Sequence, residues 1–154
     1  VEEFRGAEFH KGKRPWSVPC DLALPCATQH ELNKDDARSL VKNGCMALAE
    51  GANMPTDLEG KKVLQEAKIL YAPGKAANAG GVAMSGLEMS QNSARRSMKE
   101  RELQSLLAEL MKGIHDRCVE YGGGVGSNRI DYVRGANIGG FKKVADAMLA
   151  FGVV

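Results

Sequence analysis

Short apolar runs alternate with polar, small-residue stretches through the first half of the chain. Cys20-Asp21-Leu22-Ala23-Leu24, Met46-Ala47-Leu48-Ala49 and Ile69-Leu70-Tyr71-Ala72 each read as a buried strand, the first and third closed abruptly by Pro25 and Pro73. Between them the spacing turns helical. Asn33 and Asp36 stand at capping-box distance ahead of a helix from about Lys34 that ends at Asn43-Gly44, and they explain its start better than Thr28 with Glu31. Thr56 and Glu59 repeat the pattern before a helix reaching about Lys68, and Asn78 reads as the N-cap of one running to about Ser93. Ahead of the first strand the pattern is thin: residues 7–10 suggest a strand and Lys13-Arg14-Pro15-Trp16 a turn.

The second half is helical. Ser97 and Glu100 would cap a helix on which Leu103, Leu106, Leu107, Leu110, Met111, Ile114, Cys118 and Val119 share one face, a stripe for a core or a subunit contact. His115 lies just off that stripe and reads as a partly buried packing residue. Gly122-Gly123-Gly124-Val125-Gly126 should end the helix in a flexible loop. A last helix over 137–149, with Phe141, Val144, Ala145, Met148 and Leu149 on its apolar face, should pack back on the body or on a further domain.

Strand, loop and helix thus recur three times at roughly 25-residue intervals, the size of a βα unit. Such alternation predicts an α/β fold with a parallel sheet, whose strand C-termini share one edge. Loops 25–29, 51–55 and 73–78 must meet there. They are built of small and amide residues without an obvious nucleophile, so they read as a binding rim. Gly80 and Gly81 open the following helix at a cost of about 1 kcal/mol each against alanine. Either a ligand or tight packing must lie against that backbone, and the glycines alone favour neither.

Composition narrows the function. The 154 residues are 44% hydrophobic, enough for one domain with a core. A net charge of +2 with interspersed signs argues against a nucleic-acid or anionic-membrane surface, and no apolar run approaches bilayer-spanning length. Cys20, Cys26, Cys45 and Cys118 lack metal-ligand spacing and read as reduced structural thiols of a cytosolic-type compartment. No triad, carboxylate pair or metal cluster appears. The glycine run at 122–126 follows a helix and cannot be laid on a dinucleotide fingerprint. The chain starts at Val1 inside what reads as an element, which suggests a segment of something longer.

Several blocks taken in order carry a resemblance. They are Arg14-Pro15-Trp16-Ser17, Cys20-Asp21-Leu22-Ala23-Leu24-Pro25-Cys26-Ala27-Thr28-Gln29, Ala49-Glu50-Gly51-Ala52-Asn53-Met54-Pro55-Thr56 and Ala72-Pro73-Gly74-Lys75-Ala76-Ala77-Asn78-Ala79-Gly80-Gly81-Val82. Ser85-Gly86-Leu87-Glu88-Met89-Ser90-Gln91-Asn92 and Gly135-Ala136-Asn137-Ile138-Gly139-Gly140-Phe141 continue the series. Together they resemble the C-terminal part of hexameric glutamate dehydrogenases, the small NADP-dependent branch in particular. The resemblance implies a partial Rossmann-like parallel sheet of three βα units, followed by long C-terminal helices that return toward a substrate domain outside this chain. Residues 1–121 would belong to the dinucleotide-binding domain, and 122–154 would be the glycine loop and a helix packing toward the N-terminal domain.

The same resemblance implies reversible oxidative deamination of L-glutamate to 2-oxoglutarate and ammonia, with NADP as cofactor and NAD an open alternative. It places Ala27 and Thr28 along the cofactor, Asn53 beside the nicotinamide ribose and Asn78 at the nicotinamide end. Val82 and Ser85 would wall the substrate pocket, the serine hydroxyl donating to the γ-carboxylate. The family's catalytic lysines and aspartate, and its glycine fingerprint, have no counterpart here. No catalytic residue and no metal ligand is therefore assigned, and the segment alone should be inactive. Lys75 is expected to be a solvated charge near phosphates or the subunit cleft. A homohexamer in the cytoplasm, or in an organelle, is the implied setting. A leucine, phenylalanine or valine dehydrogenase and a non-catalytic nucleotide-binding fragment are the alternatives. Against the first, Ser85 is polar where those enzymes need an apolar pocket.

Overall fold

The computed structural model describes residues 6–123, 126 and 128–152. A 3-10 turn at Pro15–Ser17 is followed by β1 (Leu22–Ala23), α1 (Lys34–Lys42), β2 (Ala47–Ala49), α2 (Leu58–Glu66), β3 (Leu70–Ala72) and the short α3 (Gly74–Ala77). Three long helices complete the chain: α4 (Ala79–Ser93), α5 (Glu100–Gly122) and α6 (Tyr132–Phe151). The strands form one parallel sheet in the order β1-β2-β3, the α/β arrangement that the spacing predicts.

The register explains the core. Ala23 lies opposite Leu48, and Leu48 opposite Tyr71, so one residue of each strand points to the same face. That face meets Trp16, Leu32, Ala37, Leu40 and Leu64 in the buried cluster under α1 and α2. The opposite face carries Leu22, Leu24, Ala47, Ala49, Leu70 and Ala72, which line an open apolar groove with His115 and Tyr132. Leu48, 1% exposed on the central strand, anchors the core. Leu48→Ala is expected to cost about 2–5 kcal/mol, read as a lower midpoint in urea unfolding.

Local chemistry sets the helix starts. Asn33 accepts from the backbone of Asp35 and Asp36, and Asp36 returns a bond to the Asn33 amide, so the expected capping box closes α1. Gly44, at φ +84, stops it. Other expectations fail. The cap of α2 is Asp57, which accepts from Gly60 N at 2.6 Å, while the Thr56 side chain is buried. Carboxylate and hydroxyl compete for one helix end, and the acid takes it. Lys99, not Ser97, precedes α5, without a side-chain cap. Residues 7–10 form no strand. The preference for Asn33 and Asp36 over Thr28 and Glu31 holds, since Glu31 accepts from Ala27 N at 2.8 Å and caps no helix.

Helix α5 packs against α4 and α6; Leu107 and Met111 of its stripe lie against Gly80 of α4, while Leu106 and Leu110 stay exposed. His115 is exposed, not partly buried, and its ring lies 5.7 Å from that of Tyr132. Helix α6 starts five residues earlier than the pattern suggests, capped by Asp131, so Asn137 sits inside it. At Gly135 the two long helices touch backbone to backbone. Beyond that crossing Phe141, Val144, Met148 and Leu149 are exposed. Of the expected glycine loop, residues 124 and 125 lie outside the described residues.

Candidate functional site

The three strands end at the same edge, and backbone bonds stitch their loops together there. Gly51 N and Ala52 N both donate to the Pro25 carbonyl, at 2.9 and 3.1 Å. Further along, His30 N donates to Met54 O and Leu32 N to Pro55 O. The loop carrying Ala27 and Thr28 is thereby held against the loop carrying Asn53, and both residues are exposed. The third loop joins through a side chain: Asn78 Nδ2 donates to Ala52 O at 3.1 Å and to Asn53 Oδ1 at 2.8 Å.

Asn78 does stand at the N-cap position of α4, as expected, but the capping bond expected of its side chain is not made. The residue ends α3 and starts α4, but its side chain makes no capping bond to either. Both amide hydrogens reach across to the neighbouring loop instead. Among the described residues the Asn53 NH₂ and the Asn78 Oδ1 keep no protein partner, so the pair presents a donor group with both its hydrogens and an acceptor oxygen.

Beneath the pair lies a carboxylate that sequence reasoning passed over. Glu50, 1% exposed, accepts from Tyr71 Oη at 2.6 Å and from Gly74 N at 2.8 Å, with Lys61 Nζ 3.9 Å away. An acid placed directly after a buried strand sits at the carboxyl edge of a parallel sheet, and that position was its available signal. Thr56 Oγ1 is buried close by without a hydrogen bond of standard geometry.

Burial, reinforced by the bond to Glu50, pushes the Tyr71 phenol far above the ordinary tyrosine range. In the unfolded chain the phenol ionises near about pH 10, while in the fold it stays protonated. Its contribution to stability is complete below that pH and is lost as pH rises above it. Urea titrations from about pH 9 to about pH 11 should show a shallower alkaline decline for Tyr71→Phe than for the parent.

Helix α4 leaves the rim with no buried residue. Its two opening glycines answer the question they posed in different ways. A Cβ on Gly80 would press on Leu107 and Met111 of α5, whereas one on Gly81 would meet nothing within 4 Å. Gly80 serves packing, and Gly81 faces open space beside Val82, which is 74% exposed. Ser85 lies three residues on, also exposed, its hydroxyl donating weakly to Gly81 O at 3.3 Å. Two helical turns, about 10 Å, separate Ser85 from Asn78.

Lys75, on α3, donates to Asn137 Oδ1 of α6, so it is not the purely solvated charge expected of it. A cavity of about 380 Å³ opens between Gln29, Asn53, Met54, Lys61 and Lys75, with Glu50 at its floor. Among the described residues no group of three or more His, Cys, Asp or Glu could hold a metal, and no helix is long and apolar enough to cross a membrane. The four cysteines are free; Cys45 and Cys118 are buried, while Cys26 is exposed.

The rim fits the nicotinamide end of a dinucleotide in its donor set. A carboxamide offers an NH₂ and a carbonyl, and the free acceptor of Asn78 and free donor of Asn53 complement them.

Comparison with known proteins gives a consistent result. The model of the glutamate/leucine/phenylalanine/valine dehydrogenase family matches residues 1–152. The NADP-specific glutamate dehydrogenase of Salmonella typhimurium is 58% identical over 149 residues, which cover 97% of this chain and 33% of that protein. The NADP-specific glutamate dehydrogenase of Escherichia coli is 56% identical over 154 residues, 100% of this chain and 34% of that one. Among solved structures, Plasmodium falciparum glutamate dehydrogenase 2 superposes with a TM-score of 0.88 at 45% identity, covering 98% of this chain and 33% of that one. The chain spans about a third of the length of the curated relatives it matches.

Proposed function

The chain belongs to the glutamate/leucine/phenylalanine/valine dehydrogenase family, and from that premise we propose that it is part of a glutamate dehydrogenase. In this reading it supplies the nicotinamide side of the cofactor site and one wall of the substrate pocket. The observation that carries the proposal is the bonded amide pair Asn53–Asn78 on the strand edge, with Ser85 two turns along the helix that Asn78 begins.

Asn53 and Asn78 would hold the nicotinamide ribose and carboxamide, and Ala27 and Thr28 would lie along the cofactor. NADP, when bound, supplies the hydride acceptor for oxidation at the glutamate Cα. Val82 would flank the substrate's methylenes. Ser85 would exchange its long bond to Gly81 O for a shorter, charge-assisted one to the γ-carboxylate. The proton-transfer groups of the reaction are assigned to residues outside this segment. A homohexamer located in the cytoplasm belongs to the same proposal, and the mass of the native assembly tests the first part.

The full-length enzyme, assayed for NADPH-dependent amination, should prefer 2-oxoglutarate to the keto acid of leucine by on the order of 10²-fold or more, because an apolar chain leaves the Ser85 hydroxyl unmatched. A preference for the leucine keto acid would assign the chain to another branch. NADH outperforming NADPH would correct the cofactor and leave the reaction standing.

A further inference from the structure

The buried carboxylate of Glu50 accepts from neither member of the amide pair, yet it grips the segment that delivers Asn78. Helix α3 is a single turn. Its first residue, Gly74, donates its N–H to Glu50 Oε2 at 2.8 Å, and its last turn closes when Asn78 N donates to Gly74 O at 2.9 Å. The same turn is held at its far end by the Asn78 side chain, bonded to Ala52 and Asn53. Both anchors lie on one loop, residues 50–53. Glu50 is itself fixed from the sheet: its N–H donates to Ala72 O at 3.1 Å, and its other carboxylate oxygen takes the Tyr71 phenol.

We propose that Glu50 is a positioning residue that clamps the first residue of α3 to the sheet edge, so that Asn78 meets Asn53 in the geometry that receives the nicotinamide carboxamide. The inference rests on the cofactor reading of the rim. The chemistry explains why an acid stands there. Two donors, a phenol and a backbone N–H, converge on one buried side chain, and a carboxylate accepts from both without presenting a hydrogen to either. Aspartate is one methylene short and reaches only one of them. Glutamine keeps the length and one good acceptor.

In the full-length enzyme, NADPH dissociation constants from fluorescence titration, KM for 2-oxoglutarate at saturating NADPH, and thermal midpoints would be compared for parent, Glu50→Asp, Glu50→Gln and Asn78→Ala. Glu50→Asp is expected to weaken NADPH binding about tenfold, with the 2-oxoglutarate KM moving less than about threefold. Glu50→Gln should recover part of that loss and leave a rise of about threefold. A folded Glu50→Asp enzyme that binds NADPH within about twofold of the parent overturns the inference. So does a fall in kcat that tracks the folded fraction while both constants stay put, the mark of a purely structural carboxylate. Should Glu50→Asp not fold, Glu50→Gln decides: a rise of about threefold in the NADPH constant supports the clamp, and an unchanged constant ends it. Asn78→Ala separates the two levels. If it weakens NADPH binding while the Glu50 variants do not, the rim reading stands and the clamp falls. If Asn78→Ala leaves binding unchanged, both fall.

Discussion

Replacing Ser85 with alanine in the full-length enzyme is expected to raise the KM for 2-oxoglutarate by about 10–100-fold and to leave the KM for NADPH nearly unchanged. The magnitude follows from losing a hydrogen bond to a charged group, worth about 1.5–3 kcal/mol. Two structural facts make the test clean. Ser85 is exposed on a helix with no buried residue, so its removal opens no cavity. Its present bond, a 3.3 Å contact to Gly81 O, is local and weak, so the fold loses little. Steady-state kinetics with each reactant varied in turn check it. An unchanged 2-oxoglutarate KM would remove Ser85 from the substrate pocket.

The second large effect concerns the crossing of α5 and α6. A Cβ on Gly135 would fall 2.8 Å from the Cys118 carbonyl carbon and closer still to its oxygen, and backbone cannot rotate away as a side chain can. Gly135→Ala should therefore incur the full overpacking penalty, about 3 kcal/mol, offset by about 1 kcal/mol of improved helix propensity. The net, about 2 kcal/mol, corresponds to a fall of about 4–8 °C in thermal midpoint. Gly81→Ala provides the contrast. It sits in a helix with no atom within 4 Å of the added carbon, so propensity acts alone and the midpoint should rise. Equal shifts at the two glycines would mean that α5 and α6 do not approach as closely as described.

The strands and α1 were readable because their causes are local. Apolar runs closed by proline give β1 and β3, and Asn33 with Asp36 closes a box three residues wide. The misreadings share the opposite trait. Asn78 stands before a helix and looks like a cap, but its partners lie 25 and 26 residues back in the chain, beyond the reach of any spacing rule. Thr56 has the right neighbour at Glu59, yet Asp57 holds the better oxygen one position closer. Glu50 followed an apolar run and passed for an ordinary loop residue, because its meaning depends on a tyrosine and a glycine of the next βα unit. That the three loops converge could be deduced from topology alone; which side chains bridge them could not.

The bond from Lys75 to Asn137 ties the rim to a residue 62 positions further along the chain. A ribosome releases the chain from one end, so β1 to β3 and the amide pair emerge well before this last tie can be made. A contact so far apart in sequence closes a long loop and waits on that entropy, whereas the local ones do not. By then α3 is already held at both ends, by Glu50 and by the Asn78 side chain, so the tie to α6 is added to a rim that has formed without it.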